Sequence, residues 1–112
     1  MIRFKQGVRL TDLSPQMVLA AMVVDSVYTK HGIMDCVVTS GSDGKHSTNS
    51  LHYRGGRALD FRTRNIPPLH RNSVAQEIGV SLGENYDVVL EATHLHCEYD
   101  PKEHNDDREK TA

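Results

Sequence analysis

Six residues near the carboxyl end constrain this chain more than any others. In His94-Leu95-His96-Cys97-Glu98-Tyr99 polar and apolar side chains alternate without a break. Alternation at period two is the mark of a strand with one buried face, so Leu95, Cys97 and Tyr99 point to a core while His94, His96 and Glu98 share the opposite side. A second run, Arg57-Ala58-Leu59-Asp60-Phe61-Arg62, has the same pattern, with Leu59 and Phe61 on one face and Ala58, Asp60 and Arg62 on the other. Tyr86 to Leu90 is also strand-like, and only Glu91-Ala92-Thr93 separates it from His94, which predicts a hairpin. Asp35-Cys36-Val37-Val38-Thr39 is a short β-branched run that feeds the loop-forming cluster Ser40-Gly41-Ser42-Asp43-Gly44.

Helices are expected between these strands. Ser14-Pro15 is a start signal, and Ala20, Val23, Val24 and Val27 follow at three- and four-residue spacing until Gly32, which gives a helix over about 15 to 31. After Pro67-Pro68, Val74, Ile78 and Leu82 recur every fourth residue up to Gly83, giving a second helix over 69 to 82 that Gly79 weakens slightly. The expected fold class is therefore α+β, with two main helices and a small antiparallel sheet. A length of 112 residues suits one domain, 1–100. The segment 101–112 carries seven charged residues and no large apolar one, so it is expected to be a disordered tail.

Composition removes some classes of function. Thirteen basic against fifteen acidic residues give a net charge of −2, which is not the electrostatic footprint of a nucleic-acid or anionic-membrane binder. No run is long enough to span a bilayer and no secretory leader is recognised, so a cytoplasmic monomer is expected. Cys36 and Cys97 are too few for a disulfide framework and are read as buried, reduced thiols. The anomaly is histidine, seven of 112 residues. His31, His70 and His104 fall at helix ends or in the tail and are read as cationic or solvated. His52, just upstream of the Asp60 strand, and the strand pair His94 and His96 could converge with Asp60. Two imidazoles and one carboxylate with an open fourth position make the donor set of catalytic zinc. The competing reading is an exposed histidine pair, with Asp60 paired to Arg57 or Arg62.

The longer string bears on that choice. Asp43-Gly44-Lys45-His46-Ser47-Thr48-Asn49-Ser50-Leu51-His52-Tyr53-Arg54-Gly55-Gly56-Arg57-Ala58-Leu59-Asp60, followed by His94-Leu95-His96-Cys97, closely resembles the signalling domain of hedgehog proteins. It also resembles the wider zinc peptidase family of D-Ala-D-Ala carboxypeptidases and phage L-alanyl-D-glutamate endopeptidases. The resemblance covers 39–62 and 86–100. It implies a fold of that type, a Zn²⁺ ion held by His52, Asp60 and His96, Glu91 as the catalytic base and His46 as a catalytic group that orients water or stabilises an oxyanion. His94 and Glu98 are then supporting or substrate-contacting residues. The activity implied is hydrolysis of peptidoglycan stem peptides or other peptides containing D-residues, for which a phage lysis or virion enzyme is one setting. The alternative is a zinc-containing binding module of hedgehog type that has lost its chemistry; a metal-free structural domain is a third reading. The chain departs from the family pattern at four places. Gly55-Gly56 stands where one glycine is usual, and Glu91 lies five residues before His96. The strand arginine of many such peptidases is missing from Val37 to Gly41, and the calcium-binding acidic cluster of animal hedgehogs is reduced to Asp43, so calcium is not expected.

Overall fold

The computed structural model describes residues 1–41 and 56–102. His46 and His52 lie outside the described residues, as does the tail from 103 onward. Five strands form one sheet: β1 (Ile2–Phe4), β2 (Cys36–Ser40), β3 (Ala58–Arg62), β4 (Tyr86–Leu90) and β5 (His94–Tyr99), in the spatial order β1-β2-β3-β5-β4. Two helices, α1 (Pro15–Lys30) and α2 (Arg71–Leu82), pack together. The class is α+β.

The strands at 86–90 and 94–99 have the bounds that alternation predicts, and those at 36–40 and 58–62 lie within a residue of expectation. The expected antiparallel sheet needs correction, because β1 joins it parallel to β2, with Ile2 opposite Cys36, and makes the sheet mixed. The helix expected from residue 69 also differs at its start. Pro68–His70 forms a tighter 3-10 turn, and the α-helix begins at Arg71 without a capping side chain.

The register aligns the two faces across the sheet. Phe61 faces Leu95, which faces Leu90, and Leu59 faces Cys97, which faces Val88. With Cys36 and Val38 these side chains form the core floor, covered by Met17, Ala20, Val24, Val27 and Tyr28 of α1 and by Val74 and Ile78 of α2. Each large apolar side chain withdrawn from water there contributes roughly 1.5–3 kcal/mol. The Tyr28 hydroxyl, fully buried, donates to the Arg62 carbonyl at 2.8 Å and ties α1 to the end of β3. Both cysteines are buried and free, and burial pushes each thiol up to about 12, far from the thiolate range in which cysteine reacts.

On the other face, Asp60 stands opposite His96, Arg62 opposite His94, and Ala58 opposite Glu98. Ala58 is buried, and its small side chain leaves the neighbouring positions to larger groups. Beside Asp60 the β2–β3 ladder slips: Val38 pairs with Phe61 but Ser40 with Asp60, so Thr39 and Ser40 share one partner. Such a bulge turns the strand locally, a device common beside functional sites.

The segment Arg9 to Leu13 closes over the ends of β2 and β3. A Cβ built on Gly41 would sit 2.3 Å from the Arg9 carbonyl oxygen, and one built on Gly56 would sit 2.3 Å from that of Asp12. Gly56 has φ +59° and accepts a hydrogen bond from the Ser14 amide. No helix among the described residues is long and apolar enough to cross a membrane.

Candidate metal centre

The neighbouring strands β3 and β5 bring Asp60, His94, His96 and Glu98 together. Asp60 is buried, with a relative exposure of 9%, an expensive place for a carboxylate without a partner. Its Oδ1 lies 2.9 Å from His96 Nδ1 and 3.8 Å from His94 Nε2. The other ring nitrogen of His96, Nε2, lies 2.7 Å from Glu98 Oε1. His96 is thus held between two carboxylates. The Asp60 hydrogen bond raises its pKa to about 9, with Glu98 adding to the rise and burial opposing it. His94 is half-buried, with Nδ1 3.1 Å from the Thr93 hydroxyl. Among the described residues neither Arg57 nor Arg62 forms an ion pair, so the reading of Asp60 as their surface partner has no support in the geometry.

The hydrogen bonds order the roles of the imidazole. In the imidazolium both N–H groups donate, Nδ1 to Asp60 and Nε2 to Glu98; once the Nδ1 proton is shed, Glu98 would keep the Nε2–H and leave Nδ1 as the ligating nitrogen, the way a supporting carboxylate fixes the tautomer of a metal-binding histidine. Two donors about 2.05 Å from one tetrahedral zinc are separated by roughly 3.3 Å. The observed 2.9 Å between Asp60 Oδ1 and His96 Nδ1 is within a few tenths of an ångström of that. One imidazole nitrogen and one carboxylate oxygen on adjacent strands are donor types that zinc takes; at 2.9 Å they are hydrogen-bonded to each other. The third expected ligand, His52, lies outside the described residues.

Glu91 opens the hairpin turn, directly after β4, and is exposed. Its amide donates to the His94 carbonyl at 2.8 Å, while its side chain makes no hydrogen bond or ion pair to a described residue. The carboxylate against the histidine is Glu98. Of the remaining histidines, His31 caps α1 and its Nε2 lies 2.8 Å from Glu77 Oε1, an α1–α2 contact. His70 is exposed in the 3-10 turn.

Among the described residues, the one group of three donors close enough together to hold a metal ion lies elsewhere on this face and, Glu98 apart, is not among the residues that the sequence pointed to. Asp87, Glu98 and Asp100 each offer an oxygen within 4.8 Å of the others. Asp87 and Glu98 are cross-strand partners, and the alternation of β4 would have put Asp87 on this face. The Lys102 ammonium already sits 3.3 Å from Asp87 Oδ1 and 3.7 Å from Asp100 Oδ2, supplying a cation from within the chain.

At the other end of the same face the sign reverses. Arg62 and His94 border a depression to which Lys5, Arg64 and Arg71 also contribute. The spacing of Arg62 and Arg64 alone could have suggested it; Lys5 and Arg71 come from distant segments that only the fold unites. No protein-family model matches the chain, and no curated protein matches it.

Proposed function

We propose that the protein is a zinc-dependent peptidase acting on short peptides that contain D-residues, such as peptidoglycan stems, with the fold of the hedgehog and D-Ala-D-Ala carboxypeptidase type. The observation that carries this reading is the Asp60–His96 pair, one carboxylate oxygen and one imidazole nitrogen aimed at each other at 2.9 Å on adjacent strands. The string from His46 to Asp60 and its counterpart at His94 to Cys97 supply the family resemblance. Asp60, His96 and His52 would hold the ion. Zinc bound there supplies Lewis acidity, which polarises a carbonyl and makes water a nucleophile near neutral pH. Around it, Glu98 orients the His96 ring, and His94, beside Asp60, meets substrate. A general base has to come within hydrogen-bond reach of the proton it takes. Glu91 is the candidate by resemblance, and Glu98 by proximity to His96.

The second reading is a zinc-holding binding module without hydrolysis. It is favoured by one observation, the exposed side chain of Glu91 in the turn. Purified protein of measured zinc content, incubated with peptidoglycan with and without chelator, separates the two by mass spectrometry of the released fragments. Chelator-sensitive cleavage is expected. Tight zinc binding with no product from a panel of D-residue peptides would instead select the binding module, and a protein that takes up no zinc would end both readings. Comparing Glu91→Gln with Glu98→Gln at equal zinc content identifies the base, which should cost at least about a hundredfold in rate when removed.

A further inference from the structure

The depression at the positive end of the sheet face measures about 480 Å³. Four cationic side chains line it, Lys5, Arg62, Arg64 and Arg71, together with His94 and threonine side chains, and no acidic residue is among the described residues around it. The basic residues come from four places: the end of β1, the end of β3, the stretch just beyond it, and the first turn of α2. This convergence is unusual in a chain of net charge −2. Among the described residues it is also uncompensated. Ion pairs elsewhere join Arg3 to Asp35, Lys30 to Glu77 and Lys102 to Asp87, whereas none involves these four. Arg71 spends only its Nε–H, on the Ile66 carbonyl at 2.9 Å. Like charges held together in a concavity repel one another, and the same arrangement focuses a positive field on whatever enters.

The chemistry and the position identify the guest. Guanidinium groups present planar forks that match a carboxylate with two parallel hydrogen bonds. The Arg62–His94 pair lies two residues along the ladder from the Asp60–His96 pair, about 7 Å at strand spacing. His94 borders both places, since it lines the depression and reaches within 3.8 Å of Asp60. The acidic trio Asp87, Glu98 and Asp100 beyond His96 would repel a long polyanion laid along the face. A compact anionic group therefore fits where an extended polyanion does not.

We propose that this depression binds a free carboxylate of the peptide ligand, about two residues from the bond held beside Asp60 and His96. The proposal rests on the peptidase reading for the identity of the ligand as a peptide, and its test reads binding as well as turnover. The probes are an N-acetylated tripeptide ending in a D-residue, as the free acid and as the carboxamide, together with inorganic phosphate. Each is titrated into the full chain, zinc-free and zinc-loaded, while the backbone amides of Arg62, Arg64, Arg71 and His94 are followed by nuclear magnetic resonance.

The free acid should bind at least about tenfold more tightly than the amide, in keeping with loss of a charge-assisted pair. The preference should shrink with added salt and vanish in R62Q/R64Q. Lys5→Gln, an exposed single change, should reduce it without touching the sheet, which guards against a double variant that folds poorly. Equal binding of acid and amide would overturn the proposal, as would phosphate matching the peptide acid or shifts confined to other residues. Turnover separates this proposal from the reading beneath it. If acid and amide are hydrolysed with equal kcat/KM, the carboxylate site fails and the peptidase stands. If the acid is preferred in binding and neither is hydrolysed, the site stands and the peptidase fails.

Discussion

His96 is first a proton-binding residue, whatever else it holds. Its folded pKa of about 9 exceeds the ordinary 6.5, so in metal-free protein the imidazolium between Asp60 and Glu98 stabilises the fold fully below pH 6.5. That contribution is lost as the pH rises through about 9. Urea unfolding of chelated protein should show the midpoint falling over this window, with the fall much reduced in His96→Gln. Zinc bound as proposed would reverse the trend, because a ligand nitrogen must shed its proton, so zinc affinity should rise across the same interval when read by competition with a chromophoric chelator. Glu98→Ala should weaken zinc by about ten- to a hundredfold while leaving the circular dichroism spectrum unchanged, the usual effect of removing a carboxylate that orients a ligating histidine. Much of this centre was legible beforehand. Alternation alone put Asp60, His94, His96 and Glu98 on one side, since side-chain direction in a strand follows from residue parity. Which carboxylate meets which nitrogen was not legible, because that depends on the β3–β5 register, a pairing of residues 36 apart.

At the scale of elements, the strands that were easiest to read are those with one wet and one dry face. β1 was missed. It has only three residues, two of them exposed, and its partner β2 lies more than thirty residues away, so no local pattern announces it. The basic depression was missed for a related reason, since its cations are scattered over segments that meet only in three dimensions. Glycines in the connecting elements give a sharp contrast. Gly41→Ala and Gly56→Ala each drive a methyl into a backbone carbonyl of the 9–13 segment and should destabilise by about 1–3 kcal/mol or more. At Gly56 the positive φ adds to the cost. Gly79 lies inside α2 with nothing within 4 Å of a built Cβ, so Gly79→Ala should stabilise by about 0.5–1 kcal/mol. Chemical denaturation of the three variants checks the order.

For the whole molecule, zinc shared by adjacent strands would be coupled to folding, because the unfolded chain has no preformed site. Stripping zinc should lower Tm, and an unchanged transition would mean that no ion bridges the sheet. The pinch of residues 9–13 over Gly41 and Gly56 bears on how the chain divides. A cut between those glycines yields one fragment with β1, α1 and β2 and another with β3, α2, β4 and β5. Neither owns a complete core. The first carries Tyr28 and the segment that closes over Gly56; the second carries the Arg62 carbonyl that Tyr28 needs and the Phe61 that faces Val38. Mixed together, the two halves should regain the structure that each lacks alone, which makes the chain a natural candidate for fragment complementation, with the break placed where the two strands of a single ladder part company.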